Sequence, residues 1–241
     1  MRSVPWWALL SSASAPILLV GGWSISAALQ GPSYDPAAKT ISVLASNGAA
    51  GYWVMTSALI ALGVCHVITA WGLHPAALLG RLALAGGGLT AMLLALFPAP
   101  SSGGSLEHGA VVSVGFSLLA LWPALAMRRG AVPQVHAAAR GATAERNVTP
   151  VRSNPSDRRR ATGGGSVALS RTGTAPWGLR PGPSLMATAS MWLGGAWFLL
   201  ALFVHDTAGA AERVLTFAQS FWPLVVVVSC VRQTNDDEGL T

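Results

Sequence analysis

From Trp6 to Gln30 the chain carries no charged residue, and comparable uncharged apolar runs recur to its end. A helix on the surface of a soluble protein needs a polar face, and these runs have none to offer. About 20 helical residues span the ~30 Å core of a bilayer, so each run is long enough to cross one. Hydrophobic residues make up 52% of the chain and charged residues only 10%, where soluble domains carry about a quarter. The sequence is therefore that of an integral membrane protein of the all-α class, a polytopic helix bundle.

Six crossings are predicted, over residues 6–30, 49–73, 76–97, 108–127, 183–204 and 211–231. The first resembles a signal peptide, with Arg2 ahead of it and Ser12-Ala13-Ser14-Ala15 as a cleavage-like stretch. Its length exceeds an h-region of about 7 to 15 residues, so a retained helix is expected. The predicted units are a membrane domain over 1–129, a basic loop over 130–175, a second membrane segment over 176–232 and a tail over 233–241.

Charge is distributed very unevenly along these units. Ten of the fifteen basic residues lie between Arg128 and Arg180, against only Glu145 and Asp157. That stretch carries +8 of a net +6, leaving the remainder at −2. A basic excess confined to one loop follows the positive-inside rule and needs no nucleic acid to explain it. Rich in Ala, Gly, Ser and Thr and without apolar periodicity, the loop between the fourth and fifth crossings is predicted to be disordered and cytoplasmic. Its arginines could touch anionic lipid, although a solvated linker that only fixes topology is the simpler reading.

With six crossings, Arg2, Arg81, Arg128, Arg129, Arg180 and Arg232 all fall on one side, expected to be the cytoplasm, with both termini there. Arginine-dominated basic usage with abundant Ala and Gly suggests a bacterial source, and the inner membrane as its location. Trp6, Trp7, Trp71, Trp122 and Trp177 are expected near the membrane interfaces, and Trp23, Trp192 and Trp197 between helices. Small-residue stripes at Ala83, Gly87, Ala91, Ala95 and at Ser184, Ala187, Ser190, Gly194 are expected to let helices approach closely. The two cysteines, Cys65 and Cys230, are too few for a disulfide framework or a cysteine-rich zinc site.

The opposite, outer side gathers the polar residues that chemistry would need. Asp35, His108 and His205 are candidates for acid/base work on a lipid headgroup; Asp35, Glu107 and His108 are candidate ligands of a divalent metal, the one cofactor class the set suits. Ser42, His66, Glu212 and Arg213 are candidate binding residues. The plainer reading of the set is structural: Asp35 capping a turn, His108 at the water interface, and Glu212 paired with Arg213 near a helix N-terminus. His66 and Gln219 lie inside crossings, where ionisable groups are functional candidates by default. Hydrogen bonding to a neighbouring helix is the expected state of each.

Ser33-Tyr34-Asp35-Pro36, Thr40-Ile41-Ser42, Phe97-Pro98, Glu107-His108-Gly109 and Glu212-Arg213 occur together in this order. In these motifs the chain resembles the DUF998 family of bacterial six-helix membrane proteins. The resemblance covers nearly all of it except the basic loop, where Arg128-Arg129-Gly130 and Pro176-Trp177-Gly178 would join directly in a typical member. Members often carry an acidic residue soon after Phe-Pro; here Ala99-Pro100 follow. The resemblance implies architecture and no mechanism, since the function of the family is unknown.

Two functional classes stay open at this level. A non-enzymatic accessory, lipid-binding or small-molecule-binding protein requires only the bundle. A membrane-embedded enzyme, metal-dependent or acid/base, requires the outer residues to converge. A transporter is disfavoured by the lack of an internal repeat and the scarcity of intramembrane charge. Beyond the bilayer, no protein partner is indicated.

Overall fold

The computed structural model describes residues 4–100, 104–128, 175–204 and 206–238. Arg2, Arg129, His205 and nearly all of the basic loop lie outside the described residues, and so does the disorder expected of that loop. Among the described residues all regular structure is helical: α1 (Trp6–Gln30), α2 (Ile41–Leu44), α3 (Tyr52–Gly72), α4 (Leu78–Leu93), α5 (Leu106–Ala126), a 3-10 turn (Trp177–Leu179), α6 (Pro181–Val204) and α7 (Ala208–Glu238).

Five of these, α1, α3, α5, α6 and α7, are long and apolar enough to cross a membrane. Their large side chains are turned outward in numbers that water would not tolerate: Ile17, Leu79, Leu193 and Phe203 are all well exposed. Hydrocarbon is the solvent that covers such a surface without penalty. The chain is a multi-pass membrane protein.

The helix α4 has 16 residues, fewer than a typical crossing. It nevertheless runs the length of α5. At one end the Ala77 N–H donates to Ala126 O at 3.1 Å, and at the other His108 reaches Phe97 O. Turns over Leu94–Phe97 continue the chain past the last α-helical residue, with Phe97 N–H still bonded to Leu93 O. Phe97 precedes a proline, which disfavours further helix and explains why the predicted end at 97 marks the end of the turns and not of the helix.

Each pair of neighbours in the chain runs antiparallel, so the bundle has two distinct ends. At one end Arg81 donates to the C-terminal carbonyls of α3, Ala70 O at 2.7 Å and Trp71 O at 2.8 Å, and Arg128 donates to Pro75 O at 2.9 Å. Arginine suits this position because the last carbonyls of a helix lack partners and carry partial negative charge. The other end holds the segment from Gly31 to Gly51, the start of α5 and the start of α7.

Several expectations about individual residues are corrected here. Trp122 is fully buried in the core with Leu84, Leu179 and Val226, while Trp192 and Trp197 face outward. On α6 the packed face runs Ser184, Ala187, Met191, Phe198, and Ser190 lies off it. The segment 31–48 between the first two long helices includes α2. The final helix continues to Glu238, so residues 233–238 of the expected tail are helical.

The helices α3 and α4 approach each other closely at two glycines. A Cβ added to Gly63 would collide with the Gly88 carbonyl oxygen, and one on Gly88 would stand 2.6 Å from Gly63 O. Neither obstacle is a side chain that could swing away. We expect Gly63→Ala and Gly88→Ala each to destabilise by about 1–3 kcal/mol, the usual cost of overpacking. Gly195 in α6 has nothing within 4 Å of an added Cβ. Thermal unfolding in nanodiscs should show a lowered Tm for the first two and an unchanged or raised Tm for Gly195→Ala.

Candidate functional site

Inside the end opposite the arginines, the helices leave a cavity with a volume of about 70 Å³. One water needs roughly 10–15 Å³ by this measure, so the space suits a small group or a few waters. Its walls come from α1, α2, α3, α4, α5 and α7 and are mainly apolar, including Leu19, Leu59, Leu62 and Phe116. Polar side chains enter at defined points: Ser42, His66, Thr90, His108, Glu212, Thr216 and Gln219. No Lys or Arg is among the described lining residues.

Glu212 is the organising residue. Buried positions on α7 recur as Ala208, Ala211, Glu212, Leu215 and Gln219, the spacing of one helix face, so the sequence directs this carboxyl inward. It is 3% exposed. One oxygen, Oε2, accepts the Ile41 N–H, and the other, Oε1, lies 3.3 Å from Ser42 Oγ. Thr40 precedes α2 without making a side-chain cap, so α7 supplies the cap that the local sequence does not. An uncapped N–H buried here would cost about 1–3 kcal/mol.

Ser42 Oγ also lies 3.2 Å from His108 Nε2. His108 is set by two further bonds. Ser105 caps α5, accepting the His108 N–H at 3.2 Å and donating to Glu107 Oε2 at 2.8 Å. The ring nitrogen Nδ1 is 2.8 Å from Phe97 O. A carbonyl can only accept, so Nδ1 carries a proton and, in the neutral ring, Nε2 presents its lone pair to Ser42. Ser42 Oγ, with one proton to donate, thus stands between two neighbours, Glu212 Oε1 and His108 Nε2, and His108 is held in turn by Phe97 O at the cavity wall.

Arg213, the next residue on α7, points out of the cavity and does not pair with Glu212. Its Nη1 donates to Pro36 O at 2.6 Å, Lys39 O at 2.9 Å and Gly209 O at 3.0 Å, and its Nη2 to Tyr34 Oη at 2.7 Å. The guanidinium also lies 5.9 Å from the centre of the Trp23 ring. Burial pushes the Tyr34 phenol up, with Arg213 pulling in the opposite direction, so the phenol stays protonated and donates to Lys39 O at 3.3 Å. Arg213 is a clamp on the segment that leads into α2.

The remaining candidates do not join this group. Asp35 Oδ1 accepts the Ala37 N–H at 2.8 Å, an Asx-type turn. Glu107 faces solvent with Ser105. Glu107 and His108 share Ser105 as a partner while Asp35 stands apart in its own turn, and among the described residues no three His, Cys, Asp or Glu side chains come together as a metal group. Cys65 and Cys230 are free thiols. Ser105, Thr90 and Thr216 were not marked by sequence reasoning. Only Ser105 had a usable signal, a serine three residues before His108 at a helix start.

His66 and Gln219 form the deeper polar points. Both are 1% exposed. Gln219 Nε2 donates to Phe116 O at 3.1 Å, tying α7 to α5 as expected, but its Oε1 has no hydrogen-bond partner within the protein. Neither ring nitrogen of His66 has one either, contrary to the expected bond to a neighbouring helix. The reason is positional: Gly63 and Gly88 bring the α3 and α4 backbones together beside His66, and its ring turns toward the cavity wall, where apolar residues dominate.

We expect Glu212→Leu to destabilise by about 1–3 kcal/mol, because it leaves the Ile41 N–H buried without an acceptor, and Glu212→Gln to retain most of the stability. Arg213→Lys should speed amide exchange across residues 34–41 at least severalfold, since an ammonium cannot span the same carbonyls as a guanidinium. Hydrogen-exchange mass spectrometry reads both effects.

A family model described as "Protein of unknown function (DUF998)" matches residues 12–144, more than half of the chain, which belongs to that family. The match takes in α1 to α5 and ends within the basic segment, short of α6 and α7. No curated protein and no solved structure matches the chain.

Proposed function

We propose that this DUF998 protein binds a small hydrogen-bonding molecule in the cavity of its membrane bundle, without needing to transform it. The observation that carries the reading is the pair His66 and Gln219, buried at the cavity with polar atoms that no protein group serves. Leaving such atoms without a partner costs about 1–3 kcal/mol each, a cost that a bound molecule offsets. Natural cores seldom retain it without a use.

The lining constrains the ligand. One carboxyl, two imidazoles, hydroxyls and an amide face the space, with no described Lys or Arg to balance a phosphate. A neutral or cationic molecule with hydroxyl or amino groups suits these walls, and the surrounding leucines suit an apolar portion. The hydroxylated head of a neutral amphiphile meets both requirements.

We further propose six crossings, with α4 and its terminal turns as the third, and with the arginine end in the cytoplasm of a bacterial inner membrane. The basic loop would then lie inside and the residues around Asp35 outside. Support comes from Arg81, Arg128 and Arg180 sharing one end of the bundle, as the positive-inside rule requires.

Binding is tested in nanodiscs with 1-monooctanoylglycerol as the probe and octyl phosphate as its anionic counterpart. The first should raise Tm by several degrees at saturation and the second should not. His66→Leu with Gln219→Leu should abolish the rise while leaving the unliganded protein close to wild type in stability, because removal of the unserved polar atoms offsets the lost Gln219–Phe116 bond. An equal rise in this double variant would refute the reading. Sidedness is tested by cysteine labelling of intact cells in a Cys65→Ser, Cys230→Ser background. A membrane-impermeant maleimide should label Ser33→Cys and spare Ser153→Cys; the reverse pattern would invert the assignment.

A further inference from the structure

We propose that Ser42 is a nucleophile activated by His108, and that the cavity accepts a carboxylic ester whose acyl group is transferred to Ser42 and then to water. The proposal rests on the binding reading above and adds to it a reaction.

Geometry carries it. A serine hydroxyl is a poor nucleophile unless a base lies within hydrogen-bond reach and is itself held in the correct tautomer. Ser42 Oγ and His108 Nε2 are 3.2 Å apart, and the Phe97 carbonyl, 2.8 Å from Nδ1, fixes the proton on the far side of the ring. The carbonyl thereby takes the orienting part that a carboxylate takes in the familiar serine triads, which are recognised by roles and not by chain order. Glu212 stands on the other side of Ser42, its Oε2 held by the Ile41 N–H and its Oε1 3.3 Å from the same hydroxyl.

Both groups line the cavity and both are only half-buried, so a ligand in that space can reach them. A purely structural bond between helix ends would not need to face a cavity whose deeper polar atoms await a partner. The absence of Lys and Arg from the described lining favours an ester of a neutral or cationic alcohol over one with phosphate beside the reacting carbonyl.

The steps balance with water as the one co-reactant. Ser42 Oγ bonds to the acyl carbon as its proton passes to His108 Nε2, and the ester C–O bond breaks as that proton passes to the departing alkoxide. Water then attacks the acyl-serine, giving a proton to Nε2; the acyl–Oγ bond breaks and Oγ recovers that proton, releasing the carboxylic acid.

The test uses the full-length protein in nanodiscs with an uncharged alkyl fluorophosphonate probe and with p-nitrophenyl butyrate. Mass spectrometry should find one phosphonylated site, Ser42, on the fragment that begins at Thr40. Ser42→Ala should abolish labelling and ester cleavage. His108→Gln, which can still hydrogen-bond but cannot take up a proton at neutral pH, should slow both by about 10²-fold or more. Equal Tm values for His108→Gln and wild type confirm that the loss is chemical. Should His108→Gln not fold, labelling of wild-type Ser42 over the other serines still decides the question. Wild-type protein that binds 1-monooctanoylglycerol but is not labelled at Ser42 overturns the nucleophile and leaves binding intact. Labelling at Ser42 without binding of that glyceride upholds the nucleophile and rejects the glyceride-type ligand.

Discussion

Hydrocarbon offers no hydrogen bonds, so a polar group buried in this bundle must be served by another part of the same chain or by what the bundle holds. The end that carries Glu212 is organised by that requirement. One carboxyl on α7 caps α2, contacts Ser42 and through it meets His108, which is fixed in turn by the Phe97 carbonyl in the turns after α4. The starts of α2, α5 and α7, far apart in sequence, are thereby joined by side chains that would each be costly alone. The neighbouring Arg213 applies the same rule to the chain entering α2, whose carbonyls lack helical partners and find them in one guanidinium.

The opposite end solves the corresponding problem with arginine. The carbonyls that close α3 receive Arg81, and the turn into α4 receives Arg128. The same residues that the positive-inside rule counts also complete the hydrogen bonding of helix ends.

The five long apolar helices were legible because each is a long run of one chemistry, and length together with the lack of charge distinguishes a span from a soluble helix. Helix ends were less so: α2 is only four residues, and its cap comes from Glu212, a residue far away in sequence. Which tryptophans face lipid also escaped the sequence, because Trp122 and Trp192 differ in neighbours and not in local composition. Of the site, the motifs containing Ser42, His108 and Glu212 stood out as separate polar residues near one end. Their meeting depends on the α4–α5 pairing, and Phe97 contributes only a backbone atom, which no residue pattern announces. Asp35 and Glu107 looked equivalent to them in sequence, yet local turns and caps absorb both.

The depth of the site follows from glycine as much as from its polar residues. An added Cβ at Gly88 would stand 2.9 Å from the His66 Cβ and 2.6 Å from Gly63 O, so the two helices could not close as they do with any larger residue. Their contact sets the imidazole in a wall shared with Thr90 and Gln219 and gives it no protein partner. Packing for stability alone would have placed leucine at 66 and gained the contacts that an isolated imidazole lacks. A chain that instead combines a close glycine-mediated helix contact with an unserved polar ring directs its rigidity toward holding that ring in place, and rigid positioning of hydrogen-bonding atoms is what recognition of a small ligand requires.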